Sequence, residues 1–333
     1  MNEENHQIRL AARPEGLPKP SDWEQTTEPV PEPGEGQFRV AVSHISIDPA
    51  MRAWLNDVPS YIRPVEIGAV MRAAGVGTVT ASRHPDFAEG DIASGVFGVQ
   101  EHAISDGKGT FKIDTDLAPA PTWLGMLGLS GITAYFGLLD VGQLKQGETV
   151  VISGAAGAVG SAAGQIAKIH DCRVIGVAGS WEKCAVLVDE LGFDAAINYK
   201  EERVGRALRE HAPGGVDVFF DNVGGEVLDA VLTCLAREAR IVISGAVSQY
   251  NAADVKGPAN YLSLLVNRAS MKGFVIFDYA DRYPEATAAL AGWLREGRII
   301  AKEHCISGGV AAFPDALLGL FAGVNTGKLI LKV

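Results

Sequence analysis

Residues Thr149 to His170 read TVVISGAAGAVGSAAGQIAKIH, and the chain is organised around them. Thr149 to Ser153 is an apolar run of strand length, Gly154, Gly157 and Gly160 follow at three-residue spacing, and Val159, Ala162, Ala163 and Ile166 then recur with a helical period. A strand that turns through glycines into a helix offers a pyrophosphate bare backbone N–H groups and the positive end of a helix dipole. A Cβ in the turn would block that approach. Taken alone, the motif is equally a glycine turn without a ligand, so its surroundings decide.

Those surroundings alternate. From residue 149 onward, strand-like runs at 149–153, 173–178, 194–198, 216–220, 240–245 and 271–277 are separated by helical patterns at about 158–170, 181–191, 201–211, 225–236 and 260–268. Runs such as Val216 to Phe220 and Arg240 to Ser244 are apolar without alternation, as in a parallel sheet covered on both faces. The class is therefore α/β, a Rossmann doubly wound parallel sheet, and in that setting the glycine turn predicts dinucleotide binding.

The first part of the chain has another texture. Short strand-like runs, Gln37 to Val42 and Gly75 to Val79, lie between turn-rich pieces such as Pro29 to Gly34 and Phe87 to Asp91, as in an irregular β-rich domain. A helical segment from Pro121 to Leu139 leads into the second domain. After a helix at about 283–296, a helix near 312–321 and a last strand from Lys328 to Val333 break the alternation and are expected to return to the first domain. The expected division is 1–121, 122–299 and 300–333. A length of 333 residues with 47% hydrophobic content also exceeds one ordinary core.

A net charge of −11 without a basic cluster leaves nucleic acid or an anionic membrane surface no electrostatic foothold. No stretch is apolar and long enough to cross a bilayer, and residues 1–16 lack the apolar core of a secretion signal, so a cytoplasmic location is expected. Cys172, Cys184, Cys234 and Cys305 are scattered without ligand spacing, which predicts reduced thiols and no metal site. The histidines pair with no Ser, Cys or ligand set at motif spacing.

Which dinucleotide is bound depends on the end of the second strand, where an acidic residue about 20 positions beyond the last glycine commonly takes the adenosine ribose hydroxyls. Here the segment is Val177-Ala178-Gly179-Ser180-Trp181-Glu182-Lys183. No carboxylate ends the strand, small residues open the space, and Lys183 is within reach as a phosphate partner. This favours NADP(H), although Lys183 is equally placed to be a solvated helix lysine beside the acidic Glu182.

The ordered motifs extend the reading: Ile47-Asp48-Pro49 with Met51-Arg52, Gly128 to Leu138, Gly154 to Ser161, Asn198-Tyr199-Lys200, Asp221-Asn222-Val223-Gly224-Gly225, Gly245 to Asn251, and Asn325-Thr326-Gly327-Lys328. Over nearly its whole length the chain resembles the zinc-independent medium-chain dehydrogenase/reductases, within them the group of prostaglandin reductase, leukotriene B4 12-hydroxydehydrogenase and curcumin and alkenal double-bond reductases. The resemblance implies a GroES-like β-rich catalytic domain beside the Rossmann domain, with the nicotinamide in the cleft between them. It implies that Gly157, Ala158, Val159 and Gly160 hold the pyrophosphate and that Lys183 and Tyr199 meet the 2′-phosphate. Asn222, Ser244, Gly245, Ala246, Val247, Ser248 and Tyr250 would line the cofactor. Backbone groups of Phe274, Val275 and Ile276 would pass along the nicotinamide, and Asn325 would reach it from the closing segment. Each has a plain alternative: Asn222 as a helix cap, Tyr199 as a strand-end aromatic, Phe274 to Ile276 as core.

The activity implied is NADPH-dependent reduction of the carbon–carbon double bond of an enone or enal, with a quinone reductase as the alternative and a non-catalytic NADP-binding scaffold as a third reading; Tyr250 is the candidate hydrogen-bond donor to the enolate, with the cofactor ribose hydroxyl or a water as the alternative donor and Tyr250 then a structural aromatic beside the cofactor. The zinc-dependent relatives' Cys-and-His site has no counterpart around Ser46 to Pro49 or Glu66 to Gly68. Between Asp-Pro and Met-Arg the group often carries a tyrosine where this chain has Ala50, with Trp54, Tyr61 and Arg63 nearby in sequence. The group commonly forms homodimers at the edge of the Rossmann sheet, and Ser270 to Asp278 is the apolar last strand that would pair with its copy.

Overall fold

In the computed structural model, which describes residues 4–252 and 254–333, the chain begins with an antiparallel pair, β1 (Glu4–Leu10) and β2 (Trp23–Pro29). Then β3 (Phe38–Ser46) runs through a one-turn helix, α1 (Ala50–Ala53), and a long loop into β4 (Ala74–Ser82), β5 (Ile92–Val96), β6 (His102–Ser105) and β7 (Phe111–Lys112). The sequence reading caught β3 and β4 and underestimated their length. Alternation explains the fit: Phe38, Val40, Val42 and Ile45 are buried on β3 while Arg39 and Ala41 between them are partly exposed.

A short helix, α2 (Leu129–Phe136), precedes the alternating part. There follow β8 (Thr149–Ser153), α3 (Ala158–Ile169), β9 (Arg173–Ala178), α4 (Trp181–Ala185), β10 (Ala195–Asn198), α5 (Val204–His211), β11 (Val216–Asp221), α6 (Gly225–Leu232), β12 (Leu235–Ile243), α7 (Leu262–Asn267) and β13 (Ser270–Gly273). The strand order is β10-β9-β8-β11-β12-β13, every neighbouring pair parallel. This is the doubly wound Rossmann order, with the direction of winding reversing beside β8. Val151, Ile175, Ile197, Phe219 and Ile241, one from each of five adjacent strands, share a core with Leu208, Val231 and Leu232 of the crossover helices.

Two expectations are corrected here. The last strand of this sheet stops at Gly273, not 277, and residues 276–282 wind into a 3₁₀ turn in which the Tyr283 hydroxyl donates to the Ile276 carbonyl at 3.1 Å. The helix expected over 225–236 ends at Leu232, because β12 starts at Leu235.

After α8 (Tyr283–Arg295) the chain enters β14 (Glu303–Ile306), α9 (Phe313–Ala322) and β15 (Lys328–Lys332). These join the N-terminal sheet, whose order is β14-β15-β3-β4-β5-β7 with β6 pairing to β3. The chain thus divides into two units, one running to Leu124 and resuming at Glu303–Val333, the other Gly125–Lys302. In the first, Phe313 of α9 is fully buried and meets Trp23 edge-on at 5.2 Å, while Leu317, Leu329 and Leu331 fill the same core as Phe38, Ile45 and Met51. Burial of each such side chain contributes roughly 1.5–3 kcal/mol, so the N-terminal sheet needs the last residues of the chain.

Candidate functional site

The candidate site of the α/β unit lies where its parallel strands end and their helices begin. Parallel crossovers bring every such exit to one edge of the sheet. At the first exit, Gly154 has φ +57° and Gly157 caps α3 in an extended conformation, with no side chain over the first N–H groups of Ala158 and Val159. A Cβ on Gly160 would lie 2.4 Å from the Gly154 carbonyl oxygen, so only glycine lets the helix start close under the turn.

The neighbouring exit of β11 is held by a buried carboxylate. Asp221 is 0% exposed. Its oxygens accept from the Ser153 hydroxyl at 2.6 Å, the Val223 N–H at 2.9 Å and the Gly224 N–H at 3.0 Å. Burial pushes its carboxyl above the ordinary range, an effect that the donors of Gly224, Ser153 and Val223 only partly offset. Asn222 therefore does not cap the next helix. Asp221 holds the turn before that helix through the Val223 and Gly224 N–H groups, and the Asn222 side chain donates to the Ser153 carbonyl at 2.8 Å, tying this exit to the strand before the glycine turn.

The loop after β12 hangs on the same residues. Ser244 and Gly245 donate N–H groups to the Asp221 carbonyl at 2.8 and 3.1 Å, Val247 to that of Asn222 at 3.1 Å, and Ser248 to that of Val223 through both N–H and hydroxyl. The Tyr250 hydroxyl accepts from the Ala246 N–H at 3.3 Å, which fixes the ring beside the loop. At the edge, Phe274 turns its ring inward, such that a Cβ on Gly137 would lie 2.9 Å from it, and it meets Tyr279 edge-on at 6.3 Å. The Phe274 side chain is half-buried. Beyond β13, Val275 and Ile276 are half-buried.

On the other side of the glycine turn, the Ser180 hydroxyl caps α4 by accepting from the Lys183 N–H at 3.3 Å. Burial, and after it the charge of Lys200, pull the half-buried Lys183 ammonium below the usual lysine range. Tyr199 is 46% exposed, and its ring lies over Gly179. Sequence reasoning named Lys183 and Tyr199 and passed over Lys200, Ser153 and Asp221. The signal for Lys200 was its place directly after β10, which the strand order sets beside the exit of β9.

In the β-rich unit, Asn325 is buried and its amide donates to the Gly327 carbonyl at 2.7 Å. Nearby, the buried Lys328 ammonium pairs with Asp48 and donates to the Ile47 carbonyl at 3.1 Å, while the Ser46 hydroxyl donates to Asp48. Ala50 begins α1. The Trp54 ring lies beneath the Arg72 guanidinium at 5.6 Å, the Arg63 carbonyl accepts from Arg72, and Tyr61 is 54% exposed.

Comparison with known proteins follows this geometry. Residues 6–113 match a family described as N-terminal domain of oxidoreductase, and residues 158–292 one described as zinc-binding dehydrogenase. The NADPH-dependent curcumin reductase of Escherichia coli (strain K12) is 40% identical over 99% of this chain and 97% of its own. The chain belongs to the medium-chain dehydrogenase/reductases. Within that family, the NADP⁺-dependent 2-alkenal reductase of Nicotiana tabacum is 39% identical over 99% of this chain and 97% of its own. The crystal structure of CurA from Vibrio vulnificus in complex with NADPH superposes with a TM-score of 0.93 at 41% identity, covering 98% of this chain and 99% of that one. The zinc in the second family's description finds no matching residues: among the described residues no group of three or more His, Cys, Asp or Glu side chains is placed to hold a metal ion. A dinucleotide is another matter, because the bare N–H groups of Ala158 and Val159 and the glycine space under them fit a pyrophosphate.

Proposed function

We propose that this medium-chain reductase uses NADPH to reduce the carbon–carbon double bond of α,β-unsaturated ketones or aldehydes. The observation that carries the reading is the exit of β9, where Gly179 stands in place of an acidic residue, the Tyr199 ring lies over it, and Lys183 follows in the first turn of α4. It is supported by relatives named as curcumin, alkenal and prostaglandin reductases. When bound, NADPH supplies the hydride that the substrate's β-carbon takes up.

The chain's own residues bind, orient and stabilise. Gly157, Ala158, Val159 and Gly160 take the pyrophosphate on backbone N–H groups. Lys183 and Tyr199 take the 2′-phosphate. Asn222 and residues 244–248 shape the wall of the site, and the backbone of Phe274, Val275 and Ile276 extends it. Tyr250, held by Ala246, is the candidate donor to the enolate oxygen. Such a donor contributes by stabilising charge as it develops.

The test is the rate of NADPH loss, followed by absorbance, against enones, 2-alkenals and quinones, with NADH in parallel. Enone- or alkenal-dependent oxidation that prefers NADPH is the expected result. Turnover of quinones alone would replace this reading with a quinone reductase, and tight NADPH binding without any turnover would leave a nucleotide-binding scaffold. Tyr250→Phe is expected to lower kcat by about a hundredfold, the lower end of what one positioned proton donor contributes. Unchanged turnover in that variant removes Tyr250 from catalysis.

The proposal extends to a homodimer. Beside the edge strand β13, Leu262, Leu265 and Val266 of α7 are 60%, 77% and 66% exposed. An open sheet edge flanked by apolar side chains suits a second copy. A single-chain mass by light scattering would exclude it. Free thiols at Cys172, Cys184, Cys234 and Cys305 support a reducing, cytoplasmic setting, and among the described residues no helix is long and apolar enough to cross a membrane.

A further inference from the structure

The exits of β9 and β10 are pressed together. The strands run parallel with Ala178 opposite Asn198, and the Tyr199 N–H continues the ladder to the Ala178 carbonyl at 3.1 Å. The turn that follows is rigidly directed by Asn198, which is 3% exposed. Its side-chain oxygen accepts from the Lys200 N–H at 3.2 Å, and its carbonyl from the N–H groups of Glu201 and Glu202 at 3.0 and 2.8 Å. The result aims Lys200 back over the neighbouring exit. A Cβ built on Gly179 would lie 3.3 Å from the Tyr199 hydroxyl and 3.4 Å from the Lys200 Cε, so the lysine stem and the tyrosine ring share the space that glycine leaves.

Lys183 sits one turn into α4 from the same glycine and senses the charge of Lys200. Glu202 accepts from the Asn198 N–H at 2.9 Å, and Glu182 is held by its own N–H and by Ser180 at the start of its helix. Two ammonium groups held near each other repel. Such an arrangement becomes favourable when an anion of more than one charge lies with both, and a phosphate monoester is such an anion near neutral pH.

We propose that Lys200 is a second cation for the 2′-phosphate of NADP(H), so that the choice of NADP(H) over NAD(H) is divided between the exits of two adjacent strands instead of resting on Lys183. This builds on the NADPH assignment above. The division has a physical sense. Each ammonium is strongly hydrated and half-exposed or exposed, and one alone neutralises only part of the phosphate charge.

The test is calorimetric titration of the full-length protein with NADPH, NADH, 2′,5′-ADP and 5′-AMP, at low and high salt, for the wild type, Lys183→Ala, Lys200→Ala, Lys200→Glu and Lys200→Arg. Lys200→Ala is expected to lower the ratio of NADPH to NADH affinity about tenfold, the size of one charge-assisted contact. It should weaken 2′,5′-ADP in parallel and flatten the salt dependence of NADPH binding. Lys200→Glu should lower the ratio further, and Lys200→Arg should keep most of it. Because Lys200 is exposed, these variants report on binding and not on folding. A wild-type ratio and salt dependence in Lys200→Ala, alongside a lowered ratio in Lys183→Ala, overturns the role of Lys200 and leaves the NADPH assignment standing. Wild-type ratios in both alanine variants overturn the two together.

Discussion

Two regions of this chain solve opposite problems of buried backbone polarity. At the exits of the parallel strands, the turn from strand to helix leaves N–H groups outside any ladder, and at the end of β11 a buried carboxyl collects them: Asp221 takes Val223, Gly224 and the Ser153 hydroxyl. In the β-rich unit, the loop around 14–16 and the one-turn helix and irregular loops between Ile47 and Arg72 leave carbonyl groups over, and buried or half-buried cations collect those. Lys328 takes Ile47, Arg52 takes Pro14 and Gly16, and Arg13 takes Leu55 and Val65. The Met51-Arg52 and Asn325–Lys328 motifs thus do structural work in this unit, with Met51 fully buried and Arg52 only 4% exposed. The difference teaches that the charge of a buried side chain follows which backbone group the local secondary structure leaves unpaired.

The strongest way to break the comparison is to remove the cation. Lys328→Met keeps the volume, leaves Asp48 and the Ile47 carbonyl without their partner, and is expected to cost about 3 kcal/mol in urea unfolding. Adding Asp48→Asn should recover part of that loss, and full additivity of the two changes would deny that they act as a pair.

Removing the anion comes next. Asp221→Asn keeps the one oxygen that all three donors share but sets an amide NH2 where the Gly224 N–H also meets the second oxygen, donor against donor, at a cost of about 2 kcal/mol. The same change should weaken NADPH binding, because the glycine turn and the 244–248 loop both hang on this exit. Its pH dependence has a definite sign. The folded-state pKa of Asp221 is raised, so its contribution to stability is full below the unfolded pKa and is lost as the pH rises through the folded value. The deficit of the Asn variant is therefore expected to narrow from acid toward neutral pH. A deficit that widened would show that the hydrogen bonds outweigh burial.

A finer test uses the lysines. Lys183 is held below the usual lysine range, by burial first and by Lys200 second. NADPH affinity should accordingly begin to fall at a lower alkaline pH than an ordinary lysine would give, and Lys200→Ala should move that limb upward. The smallest effect is expected at Arg206, whose pair with Glu210 is exposed on both sides, at 81% and 64%. Arg206→Ala should leave the unfolding midpoint within error, which separates buried charges that satisfy backbone from surface pairs that do not.

Much of the α/β unit was legible in the sequence, because apolar runs and helical periods are local. β8 and β9 appear at the residues expected, and the glycine turn between β8 and α3 as well. The strand expected over 271–277 was cut short where Phe274 turns inward to pack near Gly137, a contact between residues far apart in the chain. Asn222 was open to reading as a helix cap, and Asp221 was one member of a motif. Only the placement of Ser153 beside them gave Asp221 its hold on the turn and Asn222 its strand-bridging contact.

What the sequence determined by itself, then, was the class of the fold, the glycine turn and the absence of an acidic residue at the end of the second strand, since each depends on spacing within a few residues. The tertiary structure decided which exits lie side by side, and hence that Lys200 stands over Gly179 and that Asp221 serves three loops, two through its carboxylate and one through its backbone carbonyl. Strand order and register arise from crossovers that bring together residues 20 to 70 positions apart, and no local periodicity encodes that choice.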